Sequence, residues 1–391
     1  MKKLWRFKLK YLLLISTLIT LVLLYNWAKA SNKIIVNVDL RLNFMDLPET
    51  RDRHYKIWNS LYSVFDGKEE SGSTNINAGI ATQTSLNHLH NLITLVDAWN
   101  GPISVGVFTP GRLLPDTLQH IKQLILCHPK ISQYVTFNLL LPLSHPPEDP
   151  ILMFSITAVD KCNNLHLDAR PLKQTEDNYD NSKIVYPVNA LRNIAVKNLQ
   201  TSHVFMIDID MLPSKGLRHY LKTTNLLYHD EMQAFVIPAF EVKTESNIPD
   251  NKEQLLQKWE KEDARPFYYT VCWKCQKNTN YKRWRLLDSS TLLYKVDWVD
   301  PWEPFYIANR KFVHYDERFQ QYGFNRISQL CDLHLKGADF FVLRDAFLIH
   351  IGFKDRNRFH SRKDEENDRN RILYRAFKKE KLETAVNGRI C

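Results

Sequence analysis

An apolar strand that ends abruptly in two carboxylates constrains the fold of this chain more than any other feature. Four apolar residues, 204–207, lead directly into Asp208 and Asp210, and residues 189–200 before them carry apolar side chains at helical spacing. A helix that feeds into a buried strand is typical of an α/β domain with a largely parallel sheet. Because ligands bind at the carboxyl ends of such strands, the pattern predicts a ligand site at the two aspartates.

The two aspartates indicate a cation site. Carboxylate oxygens are ligands for hard cations such as Mn²⁺ or Mg²⁺, which also bind phosphate oxygens and so neutralise a diphosphate leaving group. An Asp-x-Asp by itself is more common in solvated loops and helix caps. The apolar run immediately before Asp208 instead favours a site at the end of a buried strand.

A second apolar run, residues 347–351, supports the cation site. It carries His350 and is followed by Gly352 and Lys354. Imidazole can complete the shell of the cation, glycine lets the backbone approach a phosphate closely, and lysine adds a point charge. A lone histidine at a strand end is more often structural, but together with the aspartates it predicts a third metal ligand.

The N-terminal segment 11–28 contains no charged residue and would span ~27 Å as a helix, at ~1.5 Å per residue. Five Lys or Arg residues precede it, and basic flanks stay on the cytoplasmic side. We therefore predict a cytoplasmic tail at 1–10, a signal anchor at 11–28 and a type II protein of the Golgi membrane. A cleaved signal peptide is the alternative, because residues 28–30 (Ala-Lys-Ala) resemble a small-residue cleavage site.

The formal net charge of +10 is unevenly distributed along the chain. Basic residues concentrate near the N-terminus and between residues 354 and 381, where they alternate with acidic residues as on a solvated helical face. No nucleic-acid-binding motif accompanies them, so we predict no nucleic-acid partner.

Six cysteines are present, and a lumenal location permits disulfides. Cys272 and Cys275 have the spacing of half a zinc site, but no second CxxC or HxxxH lies nearby. We predict a structural disulfide or simple burial for this pair. The spacing of the other cysteines does not determine how they pair.

The remaining chain predicts one lumenal domain. Residues 29–76 mix charged and polar residues and are interpreted as a stem. From residue 77 to 391, helical and strand patterns alternate, with helices expected at 86–99 and 115–126 and strands at 104–108 and 134–141. We expect a single Rossmann-like, mostly parallel sheet flanked by helices. The aromatic-rich second half is suited to an acceptor groove in which sugar rings stack on side chains.

Four long stretches make the prediction more specific. In the same order along the chain, they resemble the beta-1,4-glucuronyltransferase branch of the glycosyltransferases, which also includes the second catalytic domain of the LARGE enzymes. The resemblance covers roughly residues 78 to 391 and is carried by residues 186–217, 265–276, 300–334 and 350–380. It implies a GT-A fold, UDP-glucuronic acid as donor, Mn²⁺ as cofactor, and inversion at the anomeric carbon. The implied acceptor is a xylose on an O-mannosyl glycan of the alpha-dystroglycan type, joined in a β-1,4 linkage.

The resemblance also assigns residues to the site. It places the metal on Asp208, Asp210 and His350. It places the donor nucleotide on two segments, Ala81 to Gln83, which includes Thr82, and Asn189 with Arg192. The pattern after the second apolar run adds Lys354 as a donor-binding residue. Gln83 stands where the vertebrate relative has histidine, which leaves the base contact there open. Arg192 has the alternative of capping or pairing within its own helix.

An inverting transfer needs a carboxylate on the acceptor side to take the hydroxyl proton, opposite the departing diphosphate. The metal aspartates lie on the leaving-group side, so the base must come from a later segment. Aromatic surroundings would desolvate such a carboxylate and raise its pKa toward the working pH. The candidates are Asp316 and Glu317, which we place ahead of Glu303.

Three other functions fit parts of the sequence. One is a GT-A transferase with another UDP-sugar donor. A second is a HAD-like phosphatase, whose first motif is also an apolar strand followed by Asp-x-Asp, although that strand normally begins the domain. The third is an inactive transferase-like binding protein. The residues leave the oligomeric state open, with a homodimer and a complex with other glycosyltransferases as the alternatives.

Overall fold

The structure is a computed structural model that describes residues 38–63, 78–156, 184–224, 226–227, 232–287, 291–355, 362–383, 385–386 and 388–391. The predicted tail at 1–10 and the predicted anchor at 11–28 lie outside these residues. Within the described ranges, no helix combines the length and the apolarity that crossing a membrane requires.

Strands and helices alternate through the described chain. The strands are β1 (Val38–Asn43), β2 (Tyr55–Tyr62), β3 (Ala78–Ser85), β4 (Ile103–Phe108), β5 (Val135–Pro142), β6 (Ile151–Ile156), β7 (His203–Met206), β8 (Met211–Pro213), β9 (Gln233–Ile237), β10 (Ala239–Val242), β11 (Ala264–Pro266), β12 (Leu293–Val296), β13 (Phe305–Asn309), β14 (Asp339–Leu343) and β15 (Leu348–Ile351). The α-helices are α1 (Asn91–Trp99), α2 (Leu114–Cys127), α3 (Pro129–Tyr134), α4 (Val188–Lys197), α5 (Leu217–Thr223), α6 (Lys252–Glu260), α7 (Tyr281–Leu286), α8 (Asn325–Leu335) and α9 (Lys363–Leu382). Short 3₁₀ helices cover Phe44–Asp46, Leu86–His88, Gly111–Leu113, Trp273–Cys275, Lys277–Thr279 and Arg310–Phe312.

The central sheet is mixed in direction. Its strand order is β12-β14-β9-β13-β7-β3-β4-β5-β2. The pairs β3/β4, β4/β5, β3/β7 and β9/β14 are parallel, and the other four pairs are antiparallel. The α/β class is confirmed, but the expectation of a mostly parallel sheet is wrong. Periodicity reports which residues are buried and carries no information about strand direction, so the sequence could not show that β13 runs antiparallel to its neighbours.

The predicted stem at 29–76 also needs correction. Strand β2 lies within it and pairs antiparallel with β5 at one edge of the central sheet. Its tyrosines and Trp58 are buried, and β1 pairs with β6 in a separate two-stranded sheet. Its pairing with β5 and the burial of these side chains make β2 part of the folded domain. The described part of the predicted stem is therefore integral to the fold.

Apolar layers cover both faces of the central sheet. Along β7, Phe205 packs into the cluster that contains the buried residues of α1 and α2, whereas Val204 and Met206 pack into the cluster that contains those of α8 and α9. Successive strand residues point to opposite faces, so one short strand supports both layers. At Gly106 of β4, an added Cβ would lie 2.5 Å from the Leu191 carbonyl oxygen, because α4 packs closely there.

A four-stranded sheet positions the chemistry. Its order is β11-β10-β15-β8, and β8 begins directly after the turn that carries Asp210. Strand β15 pairs with β8 so that His350 lies opposite Met211, and with β10 so that His350 lies opposite Glu241. This pairing brings the histidine of the second apolar run beside the aspartate of the first, although 140 positions separate them in sequence.

Candidate active site

Asp210, His350 and Lys354 form one charged group. One carboxylate oxygen of Asp210, Oδ2, lies 3.2 Å from Nε2 of His350 and 3.2 Å from Nζ of Lys354. Burial acts to raise the pKa of the Asp210 carboxyl, but His350 and Lys354 outweigh it and hold that pKa well below its ordinary range. Asp210 therefore stays ionised at any physiological pH. The predicted association of these three residues is present in the structure.

The orientation of His350 suits cation binding. Nδ1 of its ring lies 2.7 Å from the carbonyl oxygen of Gly352. A carbonyl only accepts hydrogen bonds, so Nδ1 carries the proton, and in the neutral ring Nε2 presents a lone pair toward Asp210. Two acceptors that face each other at 3.2 Å need a proton or a cation between them. A backbone carbonyl that fixes the tautomer in this way is a common support for a metal-binding histidine.

Asp208 has a different environment from Asp210. Its Oδ1 lies 3.2 Å from an Nη of Arg192, and its Oδ2 lies 3.2 Å from an Nη of Arg326. Both guanidinium groups are buried, so they hold the carboxylate in place and balance its charge. Each carboxylate oxygen retains a further lone pair, which leaves Asp208 able to support a cation from the side of Asp210.

The three predicted metal ligands are thus arranged as a pair and a supporting residue. Within the described ranges, no group of three or more His, Cys, Asp or Glu side chains is placed to hold a metal ion together. The donor set of Asp210 and His350 fits a divalent cation that takes its other ligands from phosphate and water, as Mg²⁺ and Mn²⁺ do.

Glu303 lies at the same site. It is 9% exposed, and its Oε2 lies 3.7 Å from Nε of Arg326, the residue that also holds Asp208. Burial raises the pKa of the Glu303 carboxyl; Arg326 opposes that shift, and the negative charge of Asp208 adds to it. A buried carboxylate with a raised pKa, placed in a cleft, has the properties of a general base.

Asp208, Asp210, Glu303 and Lys354 line one cleft of about 820 Å³, and His350, which does not line it, contacts Asp210. That volume lies within the range of ~300 to 1,000 Å³ that is usual for ligand pockets. Its charged side chains are predominantly basic, which favours an anionic ligand such as a diphosphate. The basic residues of the lining are Arg192, Lys274, Arg326, Lys354, Lys363 and Arg371, and the acidic ones are Asp208, Asp210, Glu303 and Asp364.

The predicted donor-binding residues divide into two groups. Gln83, Arg192 and Lys354 line the cleft, and Gln83 accepts a hydrogen bond from the Tyr186 hydroxyl. Arg192 donates to the side chain of Asn189, three residues earlier on its own helix, as well as to Asp208. The contact within its own helix is therefore present, and Arg192 also lines the cleft, while its contact with the donor stays a prediction.

Thr82 and Asn189 lie behind the cleft and do not line it. Asn189 is fully buried and donates from Nδ2 to the backbone carbonyl of Asp316, so it positions Arg192. Thr82 is also fully buried, and its hydroxyl has no hydrogen-bond partner among the described residues. Neither side chain lines the cleft, and their contact with the donor stays a prediction.

The structure does not bring Asp316 and Glu317 to the cleft. They line a separate cavity, named here the side cavity, together with Arg51, His54, His314, Arg318 and Lys381 among others. Nδ2 of Asn193 donates to Oε1 of Glu317 at 2.8 Å. Burial acts to raise the pKa of the Asp316 carboxyl, but hydrogen bonds from Arg318 lower it overall. An ion-paired carboxylate with a lowered pKa is poorly suited to take a proton. The structure thus favours Glu303 as the general base, although the sequence pattern placed Asp316 and Glu317 ahead of it.

Sequence reasoning did not single out Arg326. It lies in the first turn of α8, where the helix dipole disfavours a cation. A basic residue in the first turn of a helix is visible in the sequence and interacts unfavourably with the helix dipole. It therefore indicates that carboxylates from elsewhere in the fold compensate its charge. Here these are Asp208 and Glu303.

A buried ion pair also supports the cleft from behind. Glu241 is fully buried and accepts from Nε of Arg265 at 2.7 Å and from the backbone N–H of Tyr268 at 2.9 Å. Arg265 in turn donates to the carbonyl oxygen of Lys354 at 2.9 Å. The pair of Glu241 and Arg265 therefore holds the backbone at Tyr268 and at Lys354, two residues that line the cleft. No sequence pattern pointed to it, since Glu241 lies in an otherwise apolar strand.

The CxxC pair is a disulfide, which confirms the structural interpretation of Cys272 and Cys275. A second disulfide joins Cys331 to Cys391. The backbone N–H of Glu303 donates to the carbonyl oxygen of Cys275 at 2.9 Å. The first disulfide therefore closes a loop that contacts the backbone of Glu303.

Comparison with known proteins gives consistent matches. Residues 78–384 match the family described as "Glycosyl-transferase for dystroglycan". Beta-1,4-glucuronyltransferase 1 of Danio rerio is 38% identical over 346 residues, which is 83% of this chain and 78% of that protein. The Homo sapiens protein of that name is 38% identical over 330 residues, with 82% and 78% covered. Xylosyl- and glucuronyltransferase LARGE2s of Danio rerio is 37% identical over 169 residues, 42% of this chain and 22% of that protein.

Among solved structures, that of GalNAc-T7 with UDP, GalNAc and Mn²⁺ covers 73% of this chain and 45% of that chain, at 9% sequence identity and a TM-score of 0.38. A similarity of this extent carries no inference about the present chain.

Proposed function

Because the chain belongs to the family of dystroglycan glycosyltransferases, we propose that this glycosyltransferase transfers glucuronate from UDP-glucuronic acid to a xylose-terminated glycan. The reaction forms a β-1,4 linkage and inverts the configuration at the anomeric carbon. The acceptor is an O-mannosyl glycan of the alpha-dystroglycan type. The names of the relatives support the sugar and the linkage. Membership of this family also removes the HAD-like phosphatase from consideration.

One observation carries the proposal. A single basic cleft is lined by Asp210 and Lys354, with His350 3.2 Å from Asp210, and also by a buried carboxylate, Glu303, whose pKa is raised. The first group suits a departing diphosphate, and the second suits a hydroxyl that must lose its proton. An inverting sugar transfer needs both within one site.

The donor end of the cleft is assigned to Asp210, His350 and Lys354. We propose Mn²⁺ as the cofactor, held by Asp210 and His350 and supported by Asp208, and it supplies charge neutralisation of the diphosphate when bound. Lys354 contributes a point charge toward the phosphates, and the Arg265 contact to its carbonyl oxygen keeps its backbone in place. Arg192 and Arg326 hold Asp208 and add positive charge to the same end.

The acceptor end is assigned to Glu303. Its carboxylate takes the proton of the acceptor hydroxyl as that oxygen attacks the anomeric carbon. Burial keeps its pKa raised, which brings the carboxylate closer in basicity to the working pH. Arg326 lies between Glu303 and Asp208, so it separates two negative charges that would otherwise repel each other.

The test is a transfer assay with the full chain purified in detergent. UDP-glucuronic acid and other UDP-sugars are supplied with a xyloside acceptor, with and without Mn²⁺. Among the UDP-sugars, we expect only UDP-glucuronic acid to act as donor. We also expect a chelator to abolish transfer and NMR to show a β-linked product. Faster transfer from another UDP-sugar would reject the donor, and an α-linked product would reject inversion.

We further propose that the enzyme acts in the Golgi lumen, anchored by residues 11–28, on a glycoprotein acceptor. The basic residues before that segment support this orientation. Protease added to intact microsomes is then expected to leave the catalytic domain uncut. Digestion of that domain without detergent would reject the orientation.

A further inference from the structure

Two aromatic side chains are exceptional in their exposure. Across the described residues, the strongly exposed large apolar side chains include just two aromatic ones, Tyr269 at 53% and Trp273 at 38%. The two rings touch each other, with centroids 5.3 Å apart and an angle of 63° between their planes. In a chain whose other described aromatic residues are buried or half-buried, a contacting exposed pair marks a surface that binds something.

The pair lies at the rim of the cleft. Its sequence neighbours Tyr268, Cys272 and Lys274 line the cleft, whereas the two exposed rings do not. The loop that carries the pair also contacts both ends of the site. Thr270 donates to the carbonyl oxygen of Lys354, and Cys275 accepts from the backbone of Glu303. A molecule that extends out of the cleft past this loop therefore meets the two rings.

The rings are held in place before any ligand arrives. The disulfide between Cys272 and Cys275 closes the turn around Trp273. Trp273 also packs on Tyr281, a buried residue whose hydroxyl donates to the carbonyl oxygen of Ala239. Rigid aromatic side chains lose little conformational entropy on binding, so their exposed area contributes directly to affinity.

The chemistry of the pair selects a sugar ring as its occupant. A pyranose has one face made of C–H groups and a rim of hydroxyls, which match the apolar face and polar tip of Tyr and Trp. A protein partner would need about 800 Å² from this side of a stable interface, far more than two rings provide. The continuity of the pair with the cleft instead fits the part of an acceptor glycan that follows its terminal sugar.

We propose that Tyr269 and Trp273 form an acceptor subsite that stacks on an inner sugar ring of the glycan, outside the cleft where the terminal sugar reacts. This inference rests on the proposed function, because the cleft must bind the acceptor's terminal sugar. It names a residue pair that selects longer acceptors over a single sugar. The pair takes no part in the chemical step.

The experiment compares two acceptors, a simple xyloside and an oligosaccharide that ends in the same xylose. We expect Trp273→Ala and Tyr269→Ala each to raise KM for the oligosaccharide about tenfold. KM for the xyloside, KM for the donor and kcat should stay within twofold of wild type. Trp273→Phe keeps a ring and should retain most of the affinity. The matched control is Leu286→Ala, which removes an apolar side chain that is 71% exposed elsewhere on the surface.

Calorimetric titration of the oligosaccharide in the presence of UDP provides a readout that needs no turnover. If wild type transfers no glucuronate, but the Trp273→Ala variant binds the oligosaccharide more weakly than wild type does, the proposed reaction is rejected and the subsite is supported. If KM for both acceptors rises equally, or if neither oligosaccharide KM nor its binding changes, the subsite is rejected. Loss of a co-purifying protein in the Trp273→Ala variant, with unchanged oligosaccharide binding, would assign the pair to a protein partner instead.

Discussion

The cleft and the side cavity present similar carboxylates in opposite electrostatic states. The two spaces are of comparable size, about 820 Å³ and about 890 Å³, and each contains a carboxylate beside an arginine. Glu303 in the cleft is buried, shares Arg326 with Asp208 and has a raised pKa. Asp316 in the side cavity is ion-paired with Arg318, which also pairs with Glu380, and has a lowered pKa.

The two carboxylates differ in their burial and in the arginine that contacts each of them. Arg326 lies against both the half-buried Asp208 and the buried Glu303, and burial keeps the pKa of Glu303 raised despite this partner. Arg318 is partly exposed and lies two residues from Asp316 in sequence, so its guanidinium group stays paired with that carboxylate. A carboxylate in an aromatic segment therefore becomes a base or a structural ion pair according to the residues that the fold brings to it.

The largest effect that would sharpen this contrast is expected for Asp210→Asn. Removing the charge leaves His350 and Lys354 without their shared partner and weakens the cation site, which costs about 3 kcal/mol or more in the transition state. We expect transfer to fall at least a hundredfold with the fold intact by circular dichroism. The matched control, Asp263→Asn, alters an exposed ion pair and should leave the rate unchanged. Retention of more than about a tenth of wild-type activity at saturating Mn²⁺ would refute the assignment.

A smaller effect is expected for Arg265→Lys, behind the cleft. Lysine keeps the charge opposite the buried Glu241 but loses the fork that also reaches the Lys354 carbonyl oxygen. We expect KM for the donor to rise about tenfold, with kcat less affected and a modest drop in melting temperature. An unchanged KM in a destabilised protein would show that the pair only supports stability.

The smallest effect is expected in the side cavity, for Asp316→Asn. Transfer should stay within threefold of wild type, and the free energy of unfolding at pH 7 should fall by about 1 kcal/mol or less. Because the folded state lowers the pKa of Asp316, its contribution to stability is present above the unfolded pKa of about 3.9 and is lost as pH falls through the lowered folded value. Urea unfolding at several pH values measures this. A stability gap that widens toward low pH would contradict the assignment.

The sequence predicted the donor end of the site better than the acceptor end. Asp210 and Lys354 follow short apolar strands and His350 lies near the end of one, and strand ends are visible in sequence as the point where the apolar run stops. That they meet depends on the pairing of β8 with β15, which the periodicity does not show.

The acceptor end of the cleft was harder to predict from the sequence because its residues lie in loops. Glu303, Asp316 and Glu317 all lie in loops of one aromatic-rich stretch, and nothing local distinguishes the buried one. Strand β2 was missed for a related reason. Its value to the fold comes from β5, about 80 positions later, and its own mixed composition resembles a linker.

The most direct test of the account compares Glu303→Gln with Glu317→Gln, the same chemical change in the cleft and in the side cavity. Donor binding is measured by calorimetry with UDP-glucuronic acid and Mn²⁺, and turnover is measured with a xyloside. We predict that both variants bind the donor as wild type does, and that Glu303→Gln alone loses ~10² to 10⁴-fold in kcat, the range expected for removal of a general base. Normal turnover in Glu303→Gln together with a loss of that size in Glu317→Gln would place the base in the side cavity and contradict the account.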